Sequence, residues 1–146
     1  MKNLISIFLS MLVLALVSCG KDGNTDAEQA MLNKLQGIWV VGDGVFVDGV
    51  NATALYPSFF IEFNDDAELP VYHVNATSEA FPVVTDSYVF TNESYTEFTR
   101  ESDGVEFTLE LPDKNSLILS FTILPDEAPV RTEGTFGEFR FHLVKN

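Results

Sequence analysis

The residue with the most distinctive chemistry in this sequence is Cys19, the only cysteine of the chain. A lone thiol can form neither an internal disulfide nor a site of several thiolate ligands for a metal. Small Ser18 stands directly before Cys19, and an apolar run, Leu4 to Val17, precedes both and follows the basic Lys2. This order of residues is typical of a secretory signal peptide, with Ser18 where a peptidase cuts.

The four residues Leu16-Val17-Ser18-Cys19 resemble the lipobox of bacterial lipoproteins. The resemblance implies cleavage just before Cys19, a diacylglycerol on its thiol and usually acylation of the new amino terminus. Two or three acyl chains hold a protein stably on a membrane without a spanning helix. The expected location is the cell envelope, lipid-anchored in the outer membrane on its periplasmic face or at the cell surface. The alternative is an ordinary secretory signal with an incidental cysteine.

The charge balance excludes some partners. The chain has 22 acidic and 8 basic residues and a net charge of −14. Nucleic acid is not an expected partner, because binding it requires a clustered basic face. Acidity also disfavours lying flat on anionic lipid, so we expect membrane contact through the Cys19 anchor alone. The predicted organisation is a signal peptide (1–18), a lipidated flexible tether (19–25) and one domain (26–146).

Recognisable catalytic patterns are missing from the sequence. It has no Gly-x-Ser-x-Gly elbow, no phosphate-binding glycine loop and no His-Glu-x-x-His helix. The two histidines, His73 and His142, stand alone in predicted strands. We therefore predict no enzymatic activity, no cofactor and no metal site.

The periodicity of the domain changes from helical to β after its first residues. Thr25 or Asp26 can cap a helix that runs to about Leu35. Beyond it, apolar and polar residues alternate, as from Val105 to Leu111, and turn residues separate the runs. Eight strands are predicted, at about 38–47, 58–63, 69–75, 86–91, 95–101, 105–111, 116–124 and 136–144. This pattern predicts an all-β fold, an eight-stranded antiparallel up-and-down barrel preceded by a short helix.

The predicted connections suggest a barrel with two different ends. Those at about 48–57, 76–85 and 125–135 are long, and the others are short. Alternate connections of an up-and-down barrel lie at opposite ends, so the long ones should gather at one end. Eight strands enclose either a filled core or a small-ligand cavity. The helix should enter at the short-turn end, which places the tether and the long connections at opposite poles.

The junction of helix and first strand, Leu35-Gln36-Gly37-Ile38-Trp39, resembles the Gly-x-Trp opening of lipocalin-like domains. With the terminal strand Phe139-Arg140-Phe141-His142-Leu143, it is similar to small lipocalin-like bacterial lipoproteins of mostly uncharacterised function. The resemblance implies that Trp39 packs under the closed end, where Arg140 is the nearest match for the arginine that crosses it. The alternative is that Trp39 is ordinary core and Arg140 faces solvent.

Tyr56 and Phe81, in or beside the long connections, are the candidate ligand contacts. Aromatic rings anchor apolar or sugar-like ligands and protein partners, although they are also ordinary core residues. We expect a lipid-anchored envelope protein whose lipocalin-like barrel binds a small apolar or amphipathic ligand. The alternative is a non-enzymatic interaction module with a filled barrel, an accessory subunit of an outer-membrane assembly. An apolar cavity at the looped end would favour the first, and a solid core the second.

Overall fold

The computed structural model describes residues 26–65, 69–78, 80–124 and 136–146. The predicted signal peptide and tether, with Ser18 and Cys19, lie outside the described residues, as does the whole of the predicted connection at 125–135. The described elements are α1 (Asp26–Leu35), β1 (Gly37–Val47), β2 (Val50–Asn51), a 3-10 helix (Thr53–Leu55), β3 (Phe60–Asn64), β4 (Val71–Val74), β5 (Thr85–Phe90), β6 (Glu97–Arg100), β7 (Glu106–Asp113), β8 (Ser116–Ile123) and β9 (Gly137–Lys145).

Eight of the strands form a closed antiparallel barrel. From β3 to β9 each strand pairs with the next in sequence, and β1 pairs with both β3 and β9. Closure through β1 and β9 leaves the barrel without free edges. The predicted fold class is therefore confirmed, and the predicted strand limits agree to within about two residues. The prediction missed β2 and the 3-10 helix, which are too short to produce a periodic pattern.

Alternate residues of the strands fill the barrel interior. Four phenylalanines of β6 to β9 are successive cross-strand partners, and all four are buried. Their neighbouring ring centres lie 4.8, 4.4 and 5.1 Å apart, in the order Phe98, Phe107, Phe121 and Phe139. Burial of each such ring stabilises the fold by roughly 1.5–3 kcal/mol, so this ladder is a principal part of the core.

Helix α1 covers the end of the barrel at which the chain enters β1. Its Leu32 and Leu35 are buried, and the indole Nε1 of Trp39 donates a hydrogen bond of 2.7 Å to the carbonyl oxygen of Leu35. In addition, Gln29 Nε2 donates to the Asp65 carboxylate in the connection between β3 and β4 at 3.0 Å. The helix is thus fixed to the barrel by both apolar and polar contacts.

A β-bulge in β1 brings the first long connection against the barrel wall. The register with β9 shifts between Val41 and Gly44. Gly44 has φ +136°, and a Cβ there would lie 2.9 Å from Thr53 Oγ1. The same hydroxyl accepts a 3.0 Å hydrogen bond from the Val45 amide. Glycine is therefore required for both the backbone conformation and the close approach of the 3-10 helix.

Candidate functional site at the loop-bearing end

The long connections lie at the end of the barrel opposite α1. The strand order places 48–59, 75–84 and 101–105 at this end, together with Leu124 and Phe136, which flank the undescribed segment. The predicted gathering of long connections at one end is therefore confirmed for 48–59 and 75–84, and the third, at 125–135, lies outside the described residues. Because α1 covers the other end, the chain reaches the barrel from the pole opposite these connections. We call the two poles the loop end and the helix end.

Phe81 occupies the barrel interior at the loop end. Its side chain is fully buried, although it belongs to the connection 75–84 rather than to a strand. The centre of its ring lies 5.4–6.1 Å from those of five other aromatic residues: Phe59, Phe121, Phe141, Tyr72 and Phe107. These residues come from different parts of the barrel wall, so the connection folds inward and its phenylalanine fills the space between them.

Tyr56 is also a core residue. It is 9% exposed, and its ring packs edge-on against Phe141 at 5.0 Å and Phe59 at 6.1 Å. In this conformation neither Tyr56 nor Phe81 is available to a ligand entering from solvent. Both side chains therefore have a packing role in this structure, and ligand contact by either stays a prediction. The physical reason is that a connection long enough to fold back buries its apolar rings in the nearest core.

A buried arginine holds this inward-folded connection in place. Arg100 is fully buried, and its Nη1 donates to the carbonyl oxygen of Ala80 at 2.9 Å, next to Phe81 in the chain. Its Nε and Nη2 each donate to one carboxylate oxygen of Asp103 at 2.7 Å. The guanidinium carbon lies 5.1 Å from the ring centre of Phe107 and 5.8 Å from that of Phe81. The charge is thus neutralised and the planar group is stacked on aromatic rings.

Tyr72 completes the cluster around Arg100. Nη1 of Arg100 donates to the phenolic oxygen of Tyr72 at 3.3 Å. Burial raises the pKa of Tyr72 to about 12, and the nearby positive charge offsets only part of this effect. Burial lowers the pKa of Arg100, but the hydrogen bonds with Asp103 and the contact with Tyr72 outweigh it and leave the pKa above its ordinary value. At neutral pH the cluster therefore consists of an arginine–aspartate ion pair and a neutral phenol.

A second carboxylate lies beside this cluster on β5. Asp86 is 8% exposed and accepts a hydrogen bond from the hydroxyl of Ser102. Its backbone pairs with that of Tyr72 across β4 and β5. The contacts tie the connection 101–105 to the neighbouring strands. The arrangement stabilises the loop end.

Arg100 is not among the site residues predicted from the sequence. Its burial could have been predicted from its spacing of two residues from Phe98, because both side chains point inward from β6. A charged side chain in the interior needs a partner of opposite charge. Asp103 follows three residues later in a turn and supplies that partner. Phe81 and Ala80 could not be placed by the same means, because they lie outside any periodic segment.

The expected pairing of Trp39 with Arg140 is corrected by the structure. Trp39 is fully buried, and the cation over its ring is Lys145, with Nζ 5.1 Å from the ring centre. Arg140 lies on the outer face of β9 and contacts Glu110 at 3.4 Å. The register explains the difference, because Trp39 is opposite Lys145 in the β1–β9 pairing, whereas Arg140 is opposite Phe46.

The two histidines lie on the outer wall, half-buried, and do not meet. His73 Nδ1 is 2.8 Å from Thr85 Oγ1, and the ring of His142 packs edge-on against Phe46 at 5.3 Å. Within the described ranges no group of three or more His, Cys, Asp or Glu side chains could hold a metal ion. In the same part of the chain, no helix has the length and apolar character needed to cross a membrane.

Fold and site together define a closed antiparallel β-barrel whose interior is filled by its own aromatic side chains and braced by a buried arginine cluster. Neither a known protein family, nor a curated protein, nor a solved structure matches this chain.

Proposed function

We propose that this protein is a non-enzymatic interaction module, anchored in the cell envelope by lipid on Cys19, that presents the loop end of a filled barrel to a protein partner. The observation that carries the proposal is the position of Phe81. Its ring takes the interior space in which a ligand-binding barrel would hold a small molecule. With the interior occupied, the outer surface of the barrel is the part left for recognition.

Apolar side chains on the outside of the loop end support this proposal. Val50 and Leu55, in the first long connection, are 70% and 69% exposed. Val83, Leu124 and Phe136 lie at the same end and are each at least 36% exposed. Of the nine large apolar side chains that are exposed among the described residues, these five lie at the loop end, and Val50 and Leu55 are the two most exposed. Clustered exposed apolar residues are typical of protein interaction sites.

Charge at the loop end indicates the chemistry of the partner. The described residues of its connections include no lysine or arginine, whereas Asp48 and Glu101 are exposed there. Glu106 and Glu138, at the adjoining ends of β7 and β9, are also exposed. An apolar centre with an acidic surround fits a partner that has an apolar patch bordered by lysine or arginine.

The proposed anchor is compatible with this use of the loop end. The lipobox-like residues Leu16 to Cys19 precede α1, which covers the helix end of the barrel. A lipid on Cys19 would then hold the helix end toward the membrane and direct the loop end away from it.

The test is site-specific photo-crosslinking in intact cells from a photoreactive residue placed at Val83. We expect a discrete crosslinked protein whose yield falls in a Leu55→Asp background and with rising salt concentration. Val89→Asp is the matched control, because Val89 is 43% exposed on the barrel wall, away from the loop end. Equal yields in the two backgrounds, with both variants folded, would refute an interaction site at the loop end.

Binding of a small apolar or amphipathic ligand is the second candidate, and the closed barrel with long connections at one end favours it. Such a ligand would have to displace Phe81 from the interior. It would also have to break the hydrogen bond from Arg100 to the Ala80 carbonyl. The two candidates therefore differ in whether the barrel interior of the purified protein contains a foreign molecule.

A further inference from the structure

The lysines of this acidic protein are concentrated at the helix end. Lys34 is in the last turn of α1, Lys114 is in the turn between β7 and β8, and Lys145 ends β9. These are all the lysines in the described ranges, and all three line one recess of about 460 Å³. In a chain with a net charge of −14, a single recess lined by three lysines is a local reversal of charge.

One of these ammonium groups is held in position by the fold. Lys145 Nζ donates to the carbonyl oxygen of Lys34 at 3.2 Å, at the carboxyl-terminal end of α1. The same atom lies 5.1 Å from the centre of the Trp39 ring. The hydrogen bond and the cation–π contact restrict the side chain of Lys145, so less conformational entropy is lost when an anion binds.

The carboxylate in the recess is occupied by its own turn. Asp113 accepts from the Asn115 amide and from the Ser116 hydroxyl, each at 2.8 Å and each on a different carboxylate oxygen. The hydrogen bond from the Asn115 backbone, with that from Ser116, holds the pKa of Asp113 below its ordinary value, so it stays anionic. With three lysines and one carboxylate among its lining residues, the recess has an excess of positive charge.

We propose that this recess binds a phosphate-bearing anion, with Lys34, Lys114 and Lys145 as its ligands. Its volume is within the range of about 300–1,000 Å³ that is typical of small-ligand sites. Ammonium groups are common phosphate ligands in proteins.

The headgroup of a membrane lipid and a free phosphate compound offer the same chemistry to this site. The start of α1 at Asp26 is seven positions after Cys19, which is at most about 25 Å of extended chain. A lipid headgroup is therefore within reach if Cys19 carries the anchor. A lipid headgroup as the ligand rests on the anchor at Cys19, which belongs to the proposed function. Anion binding by the recess does not rest on it.

The test uses the only tryptophan of the chain as a reporter, because Trp39 contacts Lys145. The purified mature protein, in a neutral detergent, is titrated with inorganic phosphate and separately with glycerophosphoglycerol at constant ionic strength. We expect a saturable change in Trp39 emission. We also expect an affinity about fivefold or more weaker in Lys114→Gln, a variant that leaves the Lys145 contact with Trp39 intact.

Arg140→Gln is the matched control, because Arg140 is a partly exposed cation outside this recess. Tighter binding of glycerophosphoglycerol than of inorganic phosphate would assign a lipid headgroup, and the reverse order a free phosphate compound. Absence of a saturable change with both probes, or equal affinities in Lys114→Gln and Arg140→Gln, would overturn the proposal. Neither outcome depends on crosslinking at Val83, so the two proposals can fail separately.

Discussion

Arg100 and Ala80 are joined by a hydrogen bond of 2.9 Å from the buried guanidinium to the backbone carbonyl oxygen next to Phe81. Arg100 lies on a barrel strand and Ala80 on a long connection, so this contact links the wall of the barrel to the residue that fills its interior. The ion pair with Asp103 keeps the guanidinium in place. The filled interior is thus supported by a specific polar network as well as by apolar packing.

Loss of the Arg100 side chain should destabilise the fold strongly. We expect Arg100→Gln to lower the free energy of unfolding by about 3–5 kcal/mol, because Asp103 loses its buried partner and the Ala80 carbonyl loses a donor. Urea denaturation of the purified protein measures this change. Arg140→Gln, which affects an exposed pair with Glu110, should cost about 0.5 kcal/mol or less. Similar losses in the two variants would contradict a bracing role for Arg100.

The stability of the protein should fall in alkaline solution because of Tyr72. Its pKa is raised from 10.0 to about 12 in the folded state. Between these values the unfolded chain releases the phenolic proton and the folded chain keeps it, so unfolding is favoured as pH rises. The contribution of Tyr72 is complete below about pH 10 and is lost as pH rises toward about 12.

Urea denaturation at several pH values in that window checks this prediction, with Tyr72→Phe as the comparison. The variant loses one hydrogen bond with Arg100 at all pH values, which costs about 1 kcal/mol. Its stability should nevertheless decline less steeply with pH than that of the unmodified protein. Identical slopes would show that Tyr72 is not responsible for the alkaline loss.

Trp39 should be energetically coupled to Lys145 and not to Arg140. In a double-mutant cycle with Trp39→Leu and Lys145→Gln, we expect a coupling free energy of about 0.5–2 kcal/mol from the cation–π contact. The same cycle with Arg140→Gln should give a coupling close to zero. Chemical denaturation of the single and double variants measures both values. A larger coupling with Arg140 would restore the arrangement that the lipocalin resemblance implied.

Replacement of Cys19 tests the proposed anchor. Cys19→Ala removes the thiol that would carry the diacylglycerol, so we expect loss of the acyl mass and release of the protein from the membrane fraction. Mass spectrometry of the mature chain and cell fractionation provide the two readings. Ser10→Ala, a change within the apolar part of the predicted signal, is the control and should leave both unchanged. Unchanged acylation and fractionation in Cys19→Ala would exclude the anchor.

Strand periodicity predicted the architecture because the barrel depends on alternation along each strand. The run from Val105 to Leu111 and the terminal aromatic strand alternate clearly, and both form long strands with one buried face. The helix prediction, from a cap at Thr25 or Asp26 to about Leu35, also agrees with α1. These features depend on local sequence, which explains the agreement.

Neither the position of Phe81 nor the contact of Trp39 with Lys145 can be predicted from local sequence. Both depend on how distant parts of the chain are arranged in space. Phe81 enters the interior through the path of an irregular connection. Lys145 meets Trp39 because of the strand register of β1 and β9, which also contains a bulge between Val41 and Gly44. A one-residue change of register would move a different side chain over the ring.

The filled interior of the barrel is tested most directly by native mass spectrometry of the mature protein purified from cell envelopes, compared with Phe81→Ala. We expect the unmodified protein to carry no small molecule beyond its proposed acyl chains. Phe81→Ala should lose about 3–5 kcal/mol of stability and acquire space for a small apolar probe. Val83→Ala, in the same connection but exposed, should do neither. A stoichiometric small apolar molecule in the unmodified protein, released on denaturation, would contradict a barrel filled by Phe81.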